Sequence, residues 1–197
     1  MQLDKILRVG GVDTFVCLQE ELPPQDQMTL AGKGGFLPYR ATAELIQAAL
    51  NGPPPMEGIH ALRTPDLNKF LPPKRKQPSS IEASDPPRKV LSFLHHPIVD
   101  LGLPDASPES LGALLSDLQR RLEAGEKLYI HCWGGRGRAG TVGACLLGRA
   151  YGLRADEALA RVQKAFDTRM DENRRSPETD AQHQFVKEYI ESLVKVA

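Results

Sequence analysis

The feature that most constrains the fold of this chain is a glycine-rich loop between a short apolar strand and an apolar helix. The predicted strand covers 127–131, the predicted helix covers 140–151, and Gly134, Gly135 and Gly137 lie between them. Glycine adopts backbone conformations that are closed to other residues, so such a loop turns sharply from strand to helix. A strand that leads into a helix in this way indicates an α/β protein, in which helices cover a mostly parallel sheet.

Apolar periodicity in the rest of the chain predicts the same alternation of strands and helices. Strands are predicted at 12–18 and 90–94, and helices at 41–50, 108–125, 155–166 and 181–194. The helix at 108–125 has the clearest start signal, because a proline directly follows Ser107. We therefore expect one domain over 1–197, an α/β fold with a central, mostly parallel twisted sheet of about four or five strands flanked by helices.

A proline-rich stretch interrupts this pattern. Nine of the 16 prolines lie between Pro53 and Pro87, and no regular element tolerates that density of prolines. Polar, proline-rich composition buries too little apolar surface to offset the entropy lost on ordering. We expect 51–89 to be an insertion or mobile loop within the domain rather than a second domain.

Composition narrows the function classes. The chain has 25 basic and 25 acidic residues, so no net charge draws it to nucleic acid or to an anionic membrane. No apolar run is long enough to span a membrane, and 1–13 lacks a secretory signal, so we expect a cytoplasmic protein. Its cysteines, Cys17, Cys132 and Cys145, have no CxxC spacing, which argues against a disulfide framework or a metal site.

The glycine-rich loop also carries chemistry. Its residues are Cys132, Trp133, Gly134, Gly135, Arg136, Gly137 and Arg138. Successive backbone N–H groups in such a loop, with those of the helix start, form a nest for an anion, and an arginine clamps two of its oxygens. A thiol close to these N–H groups and to the positive charge of the arginine loses its proton readily. The alternative is a buried structural cysteine in a tight turn, but it does not explain two arginines inside the turn.

With His131 before the cysteine and Arg138 after five further residues, this segment resembles the signature of the cysteine-dependent protein tyrosine phosphatases. The wider pattern, with His95-His96-Pro97-Ile98 and Ala144-Cys145-Leu146-Leu147, is most similar to their compact dual-specificity branch. The resemblance implies that Cys132 is the nucleophile and Arg138 the phosphate clamp. It implies no cofactor and no metal, and as substrate a phosphorylated protein or another phosphomonoester.

The resemblance places the general acid on a loop about thirty residues before the nucleophile, where Asp100 lies. Asp105 is the competing carboxylate, and we interpret it as a turn residue before the helix that follows Ser107. We interpret His95 and His96, at a predicted strand end, as packing and hydrogen-bonding residues. His131 is expected to orient the loop rather than transfer protons.

For the second reaction step, relatives often use a late glutamine to orient water, and the resemblance puts Gln182 at such a position. Thr179 and Gln182 also have the spacing of a capping box, so Gln182 has an equally good purely structural interpretation. Glu178 occupies a position where many relatives carry another glutamine. Both alternatives for Gln182 stay open at this point.

The sequence departs from its relatives in three places. Ala139 replaces the usual Ser or Thr after the arginine, which predicts slow breakdown of the phosphocysteine. Arg136 adds a cation to the loop, which would favour polyanionic substrates. Relatives place one or two strands before the segment at 4–18, so we expect either a reduced sheet or a part of a longer protein.

These observations favour a phosphoric monoester hydrolase that acts through a phosphocysteine on phosphotyrosine and phosphoserine or phosphothreonine proteins, as a monomer. One alternative is a weak or inactive module that only binds phosphate. Another is a phosphatase of inositol phosphates or phosphoinositides. A rhodanese-type sulfur carrier also uses a loop cysteine, but it would not need Asp100 or an arginine clamp at this spacing.

Overall fold

The computed structural model describes residues 2–22, 38–52, 89–169 and 174–196. The elements in chain order are α1 (Gln2–Arg8), β1 (Thr14–Gln19), α2 (Arg40–Asn51), β2 (Ser92–Ile98), a π-helical turn (Pro108–Gly112), α3 (Ala113–Glu123), β3 (Leu128–His131), α4 (Gly137–Tyr151), α5 (Ala155–Phe166) and α6 (Asp180–Val196). The alternation of strands and helices predicted from the sequence is confirmed. Almost all of the proline-rich insertion predicted at 51–89 lies outside the described residues.

The sheet is parallel and has the strand order β2-β1-β3. In the described part of the chain it has three strands, so the predicted number of four or five is wrong. The segment before β1 is not a strand: it forms α1, in which Arg8 and Asp4 pair across one turn with Nε 2.6 Å from Oδ1. Every residue of β1 is buried, because this strand lies in the middle of the sheet with both faces covered.

Strand β2 continues beyond its predicted end at residue 94, through His95 and His96 to Ile98. It is an edge strand, paired only with β1 in the described sheet. Pro97 lacks an N–H group to donate to a sheet and is tolerated on an edge for that reason. Because β2 is longer than predicted, it brings the chain to Asp100. This residue lies at the carboxyl end of the sheet, where β1 and β3 also end.

Two apolar layers cover the sheet. Residues of α3, α4, α5 and α6 form the larger core together with Val16 and Leu18 of β1. Residues of α1 and α2 pack with Phe15 on the other side. The apolar helix α4 packs closely against α6, since a Cβ added at Gly148 would lie 2.5 Å from Cδ1 of Ile190. This packing fixes α4, the helix that follows the glycine-rich loop, against α6.

Helix α4 begins at Gly137, three residues before its predicted start, so Arg138 belongs to its first turn. The other helices agree with their predicted positions to within a few residues, except that the first turn of the predicted helix at 108–125 is π-helical. Among the described residues, no helix combines the length and the apolar character needed to cross a bilayer.

Candidate active site

Three chain segments meet at the carboxyl edge of the sheet, each directly after a parallel strand. Glu21 follows β1, Asp100 follows β2, and Cys132 follows β3. In open parallel sheets, ligands bind beyond this edge, where strand ends and helix N-termini come together. The topology therefore brings residues from three distant parts of the sequence to one place.

A cavity of about 400 Å³ opens at this edge, a size typical of small-molecule sites. Its lining residues are Asp100, Leu101, Cys132, Trp133, Gly134, Arg136, Gly137, Arg138, Phe166, Arg174 and Glu178. Cys132 is only 7% exposed, yet it lines this cavity, while Trp133 beside it is exposed. The predicted nucleophile, clamp, acid and phosphate-binding loop thus surround one space.

The loop has the backbone expected of an anion nest. Gly135 has a φ of +64°, a conformation that a side chain would strain, and an added Cβ would also lie 3.0 Å from Nη1 of Arg169. The Arg169 guanidinium braces the outside of the loop by donating to the carbonyl of Gly134 at 2.6 Å. Within the described residues, the backbone N–H groups of 133–136 make no hydrogen bond. These donors are available to an anion in the cavity.

Arg138 is held from the sheet side. Its side chain is 2% exposed, and Nη1 donates to Glu21 Oε2 at 2.9 Å and to the carbonyl of Ile98 at 3.0 Å. Partial burial works to raise the pKa of Glu21, but the hydrogen bond and charge of Arg138 outweigh it and hold that pKa below its usual value. Glu21 is therefore ionised and fixes the guanidinium at the cavity.

Asp100 lies on a tight turn whose closing hydrogen bond runs from Gly102 N to the carbonyl of Val99 at 2.9 Å. Leu101, next in the turn, has a φ of +58°, a left-handed conformation rare for a leucine. The Asp100 side chain is largely exposed, and its Oδ1 lies 3.0 Å from Nη2 of Arg138. Such local strain is typical of functional turns that the surrounding structure holds in place.

His131 is positioned by an aromatic group that the sequence did not suggest. The hydroxyl of Tyr39, directly before α2, lies 2.6 Å from Nε2 of His131. Burial raises the pKa of Tyr39, so its hydroxyl stays protonated and is hydrogen-bonded to Nε2 of His131. Burial also lowers the pKa of His131, opposed in part by a hydrogen bond to the backbone of Cys132. His131 is thus a neutral residue whose hydrogen bond links Tyr39, directly before α2, to the start of the loop, and its orienting role stays a prediction.

The helical side of the loop is held by Arg136. Its Nη1 lies 2.8 Å from Oε1 of Glu178, and its Nε donates to the carbonyl of Arg175 at 2.8 Å. The added positive charge expected at this position is therefore compensated by Glu178. This pairing removes the physical basis for expecting Arg136 itself to attract polyanionic substrates.

Residues 48–186, more than half of the chain, match the family model PTP-SAK, described as "Swiss Army Knife protein, DSP-PTPase phosphatase domain". The chain belongs to the PTP-SAK family. The resemblance to the dual-specificity branch of the protein tyrosine phosphatases is thereby confirmed.

Curated relatives of this PTP-SAK domain match over shorter stretches. It is 45% identical over 53 residues to cyclin-dependent kinase inhibitor 3 of Sus scrofa, covering 27% of this chain and 24% of that protein. It is 37% identical over 76 residues to the putative tyrosine phosphatase 067L of Invertebrate iridescent virus 3, covering 38% of this chain and 32% of that protein. The matches therefore span between about a quarter and a third of these relatives.

Solved structures of phosphatases share the fold. Tk-PTP in its active form superposes with a TM-score of 0.52 at 24% identity, over 96% of this chain and 84% of that one. Kinase associated phosphatase, with serine in place of its catalytic site cysteine, gives a TM-score of 0.50 at 16% identity, over 97% and 75%. At these identities the likeness establishes the α/β architecture alone.

In this PTP-SAK domain, Gln182 is part of a capping box at the start of α6. Its Oε1 accepts from the N–H groups of Glu178 at 3.0 Å and Thr179 at 3.2 Å, while its own N–H donates to Oγ1 of Thr179 at 3.1 Å. The remaining amide group, Nε2, donates to the carbonyl of Gly102 at 3.1 Å. Gln182 is fully buried and thus ties the turn of Asp100 to α6.

Other sequence interpretations can be compared with the structure directly. Asp105 caps the turn before α3 by accepting from N and Oγ of Ser107, as the sequence suggested. His95 contacts the carbonyl of Gln19 through Nε2 at 2.6 Å, which agrees with a hydrogen-bonding role within the sheet. The hydroxyl of Thr141 donates to the carbonyl of Gly137 at 3.0 Å, so it does not replace the hydroxyl missing at Ala139.

The remaining cysteines differ sharply from Cys132. Burial raises the pKa of Cys17 to about 11 and that of Cys145 to about 12, so both are neutral thiols. Neither lines the cavity. Only Cys132, among the cysteines, is placed to react with a molecule bound there.

Sequence reasoning missed four residues of the site: Glu21, Tyr39, Arg169 and Arg174. Glu21 could have been recognised from the sequence, because it follows a predicted buried strand. Residues just after the carboxyl ends of parallel strands are candidates for a ligand site. The other three residues had no such signal. They reach the site from helix ends and loops whose positions depend on tertiary packing.

Proposed function

We propose that this PTP-SAK domain hydrolyses phosphate monoesters through a phosphocysteine formed at Cys132. The observation that carries the proposal is that Cys132, Arg138 and Asp100 line a single cavity, next to loop N–H groups that make no hydrogen bond within the described residues. This set supplies a nucleophile, an anion clamp and a proton donor, which are the groups that the reaction needs. The proposed reaction uses no metal and no cofactor.

In the first step, the Cys132 thiolate attacks phosphorus and the bond from phosphorus to the leaving oxygen breaks. Asp100 donates its proton to that oxygen, which leaves as an alcohol. In the free protein the Asp100 carboxylate occupies Nη2 of Arg138, so a bound phosphoryl group takes its place there. That exchange releases the Asp100 side chain toward the leaving oxygen.

In the second step, water attacks phosphorus, the bond from sulfur to phosphorus breaks, and the proton from water goes to the Asp100 carboxylate. Because the Gln182 amide is committed to the capping box and to Gly102, we assign it to positioning the Asp100 turn rather than to orienting this water. Ala139 offers no hydroxyl to the departing thiolate. We therefore expect the second step to limit the rate.

The proposed substrates are proteins phosphorylated on tyrosine and on serine or threonine. The family supports this class, and the exposed rim at Asp100 and Trp133 leaves the cavity accessible. Soluble inositol phosphates are the alternative and are tested alongside phosphopeptides. The cytoplasmic location and the monomeric state stay predictions.

The test is hydrolysis of p-nitrophenyl phosphate and phosphotyrosine peptides, with reductant present, by the full chain and three variants. Cys132→Ser should abolish turnover. Asp100→Asn should lower kcat/KM roughly 10²-fold on peptides, whose leaving oxygen needs a proton, but much less on the nitrophenyl ester. Asp105→Asn is the matched control, since Asp105 only caps a turn, and it should behave as the unmodified protein does.

Rapid mixing should show a burst of nitrophenol before the steady rate, because phosphocysteine accumulates when the second step is slow. Stable phosphate binding without turnover by the unmodified chain would instead select the inactive binding module. Sulfur transfer from thiosulfate without phosphatase activity would select the rhodanese-type alternative.

A further inference from the structure

The cavity contains a cation that has no partner among the residues that the structure describes. Arg174 lines the cavity, and among the described residues its guanidinium makes no hydrogen bond or ion pair. Its side chain is exposed to solvent. A cation in that position is available to a ligand.

Every other charged side chain in the lining is already engaged. Arg138 contacts Asp100 and Glu21, and Arg136 contacts Glu178. The charges of these groups largely cancel within the cavity wall. Among the charged side chains of the lining, Arg174 is therefore the one whose charge is not engaged by another side chain of the described residues.

The backbone from Arg174 to Ser176 is fixed by hydrogen bonds. Gln163 donates through Nε2 to the carbonyl of Arg174 at 3.0 Å and accepts from the N–H of Ser176 at 2.7 Å. Arg136 donates to the carbonyl of Arg175 at 2.8 Å. A side chain that is free on an anchored backbone binds a ligand with little loss of backbone entropy.

We propose that Arg174 binds a second anionic group of the substrate, next to the phosphomonoester held by Cys132, the loop and Arg138. The inference rests on the proposed function and names the substrate class: phosphomonoesters with a neighbouring carboxylate or phosphate. The planar guanidinium suits either group, because it donates two parallel hydrogen bonds to two oxygens. The sequence suggested Arg136 as the source of a preference for polyanions, but Glu178 compensates its charge. We assign that preference to Arg174 instead.

The experiment compares Arg174→Gln with Arg175→Gln. Both variants remove one positive charge from adjacent positions, but the Arg175 side chain is engaged with Asp180 and the carbonyl of Glu178 and does not line the cavity. The substrates are p-nitrophenyl phosphate, a phosphotyrosine peptide with Glu beside the phosphotyrosine, the same peptide with Gln there, and a soluble inositol bisphosphate. The quantity measured is kcat/KM relative to that for the nitrophenyl ester.

For Arg174→Gln we expect this ratio to fall roughly three- to tenfold for at least one substrate that carries the second anion, through KM rather than kcat. The loss should shrink in roughly 0.5 M salt, because an exposed ion pair is screened. Arg175→Gln should leave the ratio as it is in the unmodified protein. The acidic peptide and the inositol bisphosphate distinguish a neighbouring carboxylate from a second phosphate.

A second measurement does not depend on turnover. In the Cys132→Ser background, calorimetric titration with pyrophosphate and with inorganic phosphate should show that Arg174→Gln weakens pyrophosphate binding roughly threefold more than phosphate binding. Arg175→Gln should affect the two ligands equally.

The outcomes separate the two proposals. If the unmodified chain hydrolyses the nitrophenyl ester while both arginine variants change the ratios alike, the inference about Arg174 is wrong and the phosphatase function stands. If the unmodified chain hydrolyses nothing, the proposed function is wrong. The pyrophosphate titration then decides alone whether Arg174 binds a second anion.

Discussion

The glycine-rich loop after Cys132 is held by different contacts on its two sides. On the sheet side, Glu21, the carbonyl of Ile98 and Tyr39 reach Arg138 and His131 through buried or half-buried contacts. On the helical side, Glu178, Arg169 and the carbonyl of Arg175 brace the loop from positions closer to solvent. Arg138 is 2% exposed, whereas the Arg136 side chain is 24% exposed.

The two sets of contacts differ in what it costs to lose them, because one is buried and the other is exposed. A buried charge that loses its partner leaves an uncompensated charge away from water, so the sheet-side contacts cannot be removed cheaply. An exposed pair is replaced by water at little cost, so the helical side tolerates exchange of its partners. We infer that the sheet side fixes the reacting groups, while the helical side is free to respond to the substrate.

The largest effect is expected for Glu21→Gln. The change removes the negative charge next to the buried guanidinium of Arg138 while keeping the size of the side chain. We expect the free energy of unfolding to fall by about 3 kcal/mol and kcat/KM for p-nitrophenyl phosphate to fall more than about tenfold. Denaturant unfolding and steady-state kinetics measure the two quantities.

Glu20→Gln is the matched control, because Glu20 is the exposed neighbour in the same segment. It should change the free energy of unfolding by less than about 0.5 kcal/mol. Equal losses for the two variants would show that Arg138 does not depend on Glu21 and would remove the basis of the comparison.

An intermediate effect is expected for Tyr39→Phe. This variant keeps the aromatic ring but removes the hydroxyl that is hydrogen-bonded to Nε2 of His131. That nitrogen then loses this partner in a mostly apolar setting. The expected loss is about 1 kcal/mol of unfolding free energy, with a lower kcat because the loop is less well oriented. Thermal unfolding and kinetics at neutral pH measure the effect.

Tyr129→Phe provides the comparison for that variant. Tyr129 stacks on the same imidazole with ring centroids 5.5 Å apart, but its hydroxyl has no hydrogen bond within the described residues. The control should be close to neutral. A control as damaging as Tyr39→Phe would mean that ring packing, not the hydrogen bond, orients His131.

The smallest effect is expected on the helical side, for Arg169→Gln. It removes the donor to Gly134 and the guanidinium beside Gly135, both at exposed positions. We expect a loss of less than about 1 kcal/mol in stability and a two- to threefold rise in KM, roughly what an exposed hydrogen bond contributes. Arg161→Gln, at an exposed arginine of α5, should change neither. A loss as large as that of Glu21→Gln would contradict the assignment of the helical side to a minor role.

Much of the architecture was predictable, because local patterns specify it. The apolar periodicity of α4, α5 and α6 and the short β-branched run of β1 placed these elements correctly. The number of strands was overestimated: the apolar patterns themselves indicated three strands, at 12–18, 90–94 and 127–131, and these three form the described sheet. The end of β2 was placed too early, since Pro97 reads as a strand breaker unless the strand is known to lie at an edge.

The residues of the site also differ in how far the sequence could identify them. Cys132, Arg136, Arg138 and the glycines lie within seven residues, and that closeness made them visible in the sequence. Asp100 was suggested by the resemblance alone, and the cavity places it beside Arg138. The two interpretations of Gln182 could be compared only in three dimensions, where its amide completes the capping box and reaches Gly102.

The sequence by itself determined the α/β class, the strand, loop and helix around Cys132, and the anion-binding character of that loop, because each follows from neighbouring residues and local backbone preferences. Only the tertiary structure decided which carboxylate faces which arginine. Glu21 lies 117 positions from Arg138 and Glu178 lies 42 from Arg136, and contacts over such separations arise from the packing of whole elements. In the described part of the chain, that packing leaves Arg174 without a partner, which no local pattern could have indicated.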